Sequence, residues 1–190
     1  MKGINIFLAE GFEDVEAIAT ADVLRRGGVD VHLVSMTDVP FVVSSHGTAV
    51  GADCTFDMLD FSETTGPEDV MIFPGGMPGT RNLAGNKNLI RCLQAHYADG
   101  GAVAAICAAP GLVLSKLDDL QDIDFTCYDG FQDELIRKGA IYYQVPAIRC
   151  GRVITGRSAA HAIAFGLEIL RYLRGDKIAA QVKYDMDLGI

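Results

Sequence analysis

The chain has 190 residues, 49% of them hydrophobic and 22% charged, the balance of a packed globular protein rather than a disordered one. Sixteen Lys and Arg against 25 Asp and Glu leave a net charge of −9, with no long basic run. That argues against nucleic acid and anionic membrane as partners, because both need a local positive surface to neutralise phosphates.

Taken in chain order, "GINIFLA" is a short unbroken apolar run of the kind a buried parallel strand shows. The chain turns acidic too soon after it for a secretory core, and no window approaches the roughly 20 apolar residues of a membrane span. "DVEAIATADVLRRGG" places Val15, Ile18, Ala19, Val23 and Leu24 at helical spacing and stops on Gly27 and Gly28. "VDVHLVS" is a second strand, and the alternating, glycine-bearing "FVVSSHGTAVGADCTF" predicts a hairpin or an irregular edge excursion. "DVMIFPGG" reads as a buried strand, "NKNLIRCLQAHYADGG" as a helix, and "AVAAIC" as a strand running at once into a helix over "APGLVLSKL".

Beyond residue 120 the periodicity weakens through "IDFTCY", a short helical "FQDELIRKG" and "AIYYQVPAIRCGRVITG". It returns in the amphipathic "SAAHAIAFGLEILRYLRG" and a last helix over "DKIAAQVKYDM". Strands and helices alternate, and the strands are continuous apolar runs, so the sheet should be mainly parallel and covered on both faces. The expected fold is a flavodoxin-like α/β three-layer sandwich, doubly wound, with 1–190 as a single domain.

Five scattered cysteines, Cys54, Cys92, Cys107, Cys127 and Cys150, form no C-x-x-C pair and no zinc spacing. They predict reduced thiols in a cytoplasmic setting and no metal site. No G-x-G-x-x-G or phosphate-loop pattern occurs, so no cofactor is expected.

In a doubly wound sheet the segments leaving the carboxyl ends of strands converge, and ligands bind there. "EGFEDVE", "PGGMPGT" and "CAAPG" all leave strands in this way. Cys107 sits between a strand end and a helix start, where free backbone N–H groups and the helix dipole favour an anion, so its thiol is expected to ionise easily. The competing reading is an inert buried thiol, which is also the reading for Cys54, Cys92 and Cys150. Gly75 and Gly76 form a second elbow, either a plain turn or a source of oxyanion donors. Glu13 and Asp14 read as solvated dipole partners, whereas Glu16 points toward the shared edge, where burial and a nearby thiolate would raise its pKa. His32 and His96 read as structural or solvated, while His46 and His161 can approach the strand edge.

Together, "EGFEDVEA", "DVLRRGG", "VMIFPGGMPGTRNLA", "AAICAAPGLVL", "ITGRSAAHAIAFGLEIL" and "AAQVK" resemble the DJ-1/ThiJ/PfpI superfamily, and within it the DJ-1-like branch, from end to end. The resemblance implies a class I glutamine amidotransferase-like fold, Cys107 as the reactive cysteine and Glu16 as its protonated partner. It also implies backbone donors at Gly75, Gly76 and Ala108, and a homodimer with the first helix near the partner copy. Two features depart from it. Cys127 stands where many relatives carry a histidine, and Ala108 follows the cysteine where protease-like branches have one.

The function so implied is cofactor-independent action on small reactive aldehydes or early glycation adducts, glyoxalase- or deglycase-like. The alternative is an oxidative-stress sensor or redox-regulated chaperone acting through oxidation of Cys107, with Cys127 as a resolving thiol in one version. A cysteine peptidase or amidase ranks below both, because no base adjoins the thiol.

Overall fold

The computed structural model describes residues 1–189. Its strands are β1 (Ile4–Leu8), β2 (Val31–Ser35), β3 (Phe41–Val43), β4 (Ala49–Gly51), β5 (Cys54–Thr55), β6 (Val70–Phe73), β7 (Ala102–Ile106), β8 (Asp124–Phe125), β9 (Ile141–Tyr142), β10 (Ala147–Cys150) and β11 (Val153–Gly156). Its helices are α1 (Asp14–Arg26), α2 (Gly79–Gly85), α3 (Lys87–Ala98), α4 (Ala109–Leu112), α5 (Asp133–Arg137), α6 (Ala162–Arg174) and α7 (Asp176–Asp185).

Seven strands form the central sheet in the order β10-β11-β7-β6-β1-β2-β5. Every pairing is parallel except β10 with β11. The unbroken apolar runs have the cause anticipated for them, since side chains alternate into two separate cores. Ile6, Leu8, Val70, Ile72, Ala104 and Ile106 pack beneath α1, α6 and α7. Phe7, Met71, Phe73, Val103 and Ala105 meet Leu89, Leu93, Val113 and Leu114 on the other face. The α/β sandwich expected from the pattern is the fold observed.

α1 starts on Glu13, whose side chain accepts the Glu16 N–H at 2.7 Å, and it buries Ala17, Val23 and Leu24 against Phe165, Ile169 and Leu170 of α6. The glycine-bearing excursion is a β3–β4 antiparallel hairpin, tied to the segment after β1 by Gly11 N–H donating to Val43 O and Ser45 N–H donating to Phe12 O.

Three local expectations change. The helix over "APGLVLSKL" is only the four-residue α4 followed by a 3-10 turn at Leu114–Lys116. Its Gly111 packs so tightly on Phe131 that a Cβ there would fall 1.9 Å from the Phe131 carbonyl oxygen, and glycine weakens the helix it sits in. Before α3 lies a further short helix, α2, which the Pro- and Gly-rich stretch concealed. Between residues 120 and 145 the only strands are the two-residue β8 and β9, paired with each other outside the main sheet, before β10 and β11 rejoin it. Among the described residues, no helix is long and apolar enough to cross a membrane.

Candidate active site

The wholly buried β7 delivers the chain to Cys107, which has φ 64°. A non-glycine residue in this left-handed region carries strain of about 1 kcal/mol or more, so surrounding contacts must hold it there. Two backbone bonds do so: Cys107 N–H donates to Gly156 O at 3.0 Å, and Tyr128 N–H donates to Cys107 O at 2.8 Å. The thiol is half-buried.

Glu16, in the first turn of α1, is 1% exposed. Gly75 N–H donates to its Oε2 at 2.6 Å, while Oε1 is buried without a conventional hydrogen-bond partner. A Cβ on Gly75 would lie 2.5 Å from Glu16 Oε2 and 3.0 Å from Cys107 Sγ. Only glycine leaves room there, and the carboxyl and the sulfur flank the same point. Gly76, at φ 90°, turns the chain so that its own N–H faces the sulfur, as does that of Ala108. The segments around Cys107, Glu16, Gly75, Gly76 and Ala108 therefore converge, with one reassignment: the Gly75 donor is spent on Glu16 and not aimed at the sulfur.

Burial pushes Glu16 up to about 7, assisted by the charge of Glu13 and opposed by the Gly75 N–H and by Cys107. Burial, then the Glu16 charge, push the Cys107 thiol up to about 12, against the pull of the Ala108 and Gly76 N–H groups. Burial and an ionised Glu16 thus oppose the easy ionisation expected of the thiol, and the Ala108 and Gly76 N–H groups favour it. α4 is too short to supply a helix-terminal field, and an ionised Glu16 opposes a second negative charge beside it. The pair instead gives up one proton near neutrality. The anion that remains holds its last proton on oxygen or on sulfur, and both forms carry the same charge.

The accessory residues separate. His46 lies exposed on the hairpin, with Nδ1 2.8 Å from Asp14 Oδ2, and that bond raises its pKa. Asp14 also accepts from Ser44 Oγ at 2.6 Å; burial works against ionisation, yet the Ser44, His46 and Thr48 contacts hold the carboxyl down at about 2. Glu13, Asp14 and His46 offer ligand atoms within 4.8 Å of one another. Glu13 is already used to cap α1 and Asp14 to bind the hairpin, so the cluster reads as a structural ion pair. His161 precedes α6 with Nδ1 2.9 Å from Ser158 Oγ, five residues after Gly156 on the same sheet edge. Cys127 is wholly buried next to Tyr128, and burial followed by the charge of Asp129 pushes its thiol up to about 12.

Sequence reasoning missed Arg157, Asp129 and Tyr142. One Arg157 guanidinium nitrogen donates to both Asp129 oxygens, at 3.0 and 2.8 Å, and Tyr142 O–H donates to Asp129 Oδ1 at 2.8 Å. The signal available was only that Arg157 follows the last buried strand run at its carboxyl end.

This elbow, carboxyl and glycine turn coincide with a match to the family model described as DJ-1/PfpI family over residues 2–172. The chain belongs to the DJ-1/PfpI family. It is 32% identical over 181 residues to Protein DJ-1 homolog A of Arabidopsis thaliana, covering 95% of this chain and 45% of that protein. The chain thus spans less than half the length of that DJ-1 relative. It is 31% identical over 166 residues to the Caenorhabditis elegans protein called glutathione-independent glyoxalase DJR-1.2, covering 87% of this chain and 85% of that one. The solved structure of oxidized Toxoplasma gondii DJ-1 superposes with TM-score 0.87 at 27% identity, over 96% of each chain.

Proposed function

We propose that this DJ-1 family member is a cysteine-dependent, glyoxalase-like enzyme for small reactive aldehydes, early glycation adducts included. The observation that carries the reading is the Glu16 carboxyl held against the same Gly75 backbone as the Cys107 sulfur. The glyoxalase name of the Caenorhabditis elegans relative supports it.

With an α-oxoaldehyde such as methylglyoxal, sulfur adds to the aldehyde carbon, and the thiol proton passes by way of Glu16 to the carbonyl oxygen, which leaves Glu16 ionised. The Gly76 and Ala108 N–H groups hold charge on the sulfur until the bond forms. Glu16 then removes the proton from that carbon and returns it to the neighbouring carbon, while a hydroxyl proton moves from the first oxygen to the second. An α-hydroxy thioester results, and water hydrolyses it to lactate and free thiol. The sum adds one water, so the stoichiometry calls for no external electron acceptor. The enzyme acts as a cytoplasmic homodimer in this reading, with exposed Val15 and Ile18 of α1 facing the second copy. Lactate formation from methylglyoxal by the purified chain tests it, and Cys107→Ser and Glu16→Gln must each abolish most of the rate. Turnover indifferent to both changes rejects the reading.

Oxidation sensing is the second reading, favoured by one feature: the half-buried Cys107 sulfur stands beside Glu16, an acid whose burial pushes it up to about 7. Peroxide would oxidise the Cys107 sulfur to the sulfinate, each added oxygen coming from one peroxide reduced to water, and protonated Glu16 would donate to the product. Two added oxygens confined to the Cys107 peptide support it; oxidation spread over the five cysteines removes it.

A further inference from the structure

We infer that the Arg157–Asp129 ion pair is a positioning device that clamps the strained backbone of Cys107 from both sides. Cys107 has two main-chain anchors, Gly156 O on its N–H and Tyr128 N–H on its carbonyl. Arg157 directly follows the first anchor, and Asp129 directly follows the second. Their side chains meet at 2.8 and 3.0 Å, so two segments far apart in the chain are closed into a ring around the elbow.

The ring is braced at both ends. Arg157 N–H donates to Pro146 O at 3.0 Å, and Tyr142 O–H holds Asp129 Oδ1 at 2.8 Å. One turn deeper, Thr126 N–H donates to Thr155 Oγ1 at 2.9 Å, tying the same two segments together inside the protein. The Arg157 side chain is 22% exposed and that of Asp129 61%, so the pair adds little to global stability. Its geometric effect is larger, because φ 64° at Cys107 has no intrinsic preference to sustain it. Release of either anchor lets the elbow relax toward ordinary backbone and carries the sulfur away from Gly76, Ala108 and Glu16. The groups acting directly on the sulfur are Glu16 and these two N–H groups, with Glu13 acting through Glu16; Arg157 and Asp129 act instead on buried Cys127, with opposite signs.

The test rests in part on the Glu16–Cys107 pairing and uses Asp129→Asn and Arg157→Met. Iodoacetamide alkylation of Cys107 is followed against pH, and exchange of the Tyr128 amide hydrogen is followed by mass spectrometry or NMR. A clamp shifts the alkylation midpoint upward in both variants by about one pH unit, roughly a fivefold loss of reactive anion at pH 7. Exchange at Tyr128 accelerates in both. A direct charge effect instead shifts the two variants in opposite directions, since one loses an anion and the other a cation. Opposite shifts, no shift, or an upward shift with Tyr128 still protected overturn the clamp. If the wild-type protein itself shows no rise near pH 7, the pairing fails, and Tyr128 exchange in the variants alone still decides the clamp.

Discussion

At the amino end of the central sheet, Asp69 accepts from Gly3 N–H at 2.7 Å and Gly66 N–H at 2.8 Å and faces Lys2 at 3.5 Å. At the carboxyl end, Glu16 has one oxygen bonded and the other buried without a partner. Burial works against ionised Asp69, yet its donors and Lys2 bring its pKa below the usual carboxylate range, whereas burial lifts Glu16 to about 7. Strain divides the same way: Cys107, in the left-handed region, stands at the carboxyl end. One end holds strands together with satisfied groups, and the other keeps a proton in a place where it is easily lost. The difference teaches that burial alone does not make a site; burial with incomplete hydrogen bonding does.

Substitutions at the two ends should therefore separate activity from stability. Cys107→Ser should have the largest effect, lowering lactate formation by about a thousandfold or more with the melting temperature retained, because no other group can form the thioester. Glu16→Gln should lower kcat/KM by about a hundredfold through loss of the proton carrier. It should also stabilise the fold at alkaline pH. Glu16 has a folded pKa above its unfolded value, so its contribution is fully present below about pH 4.5 and lost as pH rises through about 7. Calorimetry at pH 5 and pH 8 should show the Gln variant gaining at pH 8, by an amount on the order of 3 kcal/mol at most.

At the amino end the outcome should be reversed. Asp69→Ala should cost about 2 kcal/mol in urea unfolding by stranding the Gly3 and Gly66 donors, with turnover per folded molecule unchanged. Its lowered pKa means the contribution is present above the unfolded carboxylate value and is lost as pH falls, so wild type and variant should converge in acid. The smallest effect belongs to His46→Ala, which removes an exposed partner of Asp14 and should leave the Cys107 alkylation profile unchanged. A displaced profile would make the hairpin part of the site.

Much of this was legible in the chain. Unbroken apolar runs before "EGFEDVE", "PGGMPGT" and "CAAPG" fixed three strand ends, and parallel strands bring such ends to one edge. Glu16 could be singled out because its helical register differs from that of Glu13 and Asp14. The clamp was not legible: Asp129 and Arg157 are 28 residues apart, and neither sits in a periodic pattern. The length of the helix after Cys107 was not legible, because the apolar run over "APGLVLSKL" fits a full helix, whereas the chain forms only one turn where Gly111 packs on Phe131.

The proton shared by Glu16 and Cys107 is read most directly from the rate of Cys107 alkylation between pH 5 and pH 10, measured side by side in wild type and Glu16→Gln. A wild-type rise centred near pH 7, displaced to clearly alkaline pH in the Gln variant, is the result expected if acid and thiol share one proton. Coincident curves for the two proteins, rising where an isolated thiol ionises, would contradict it.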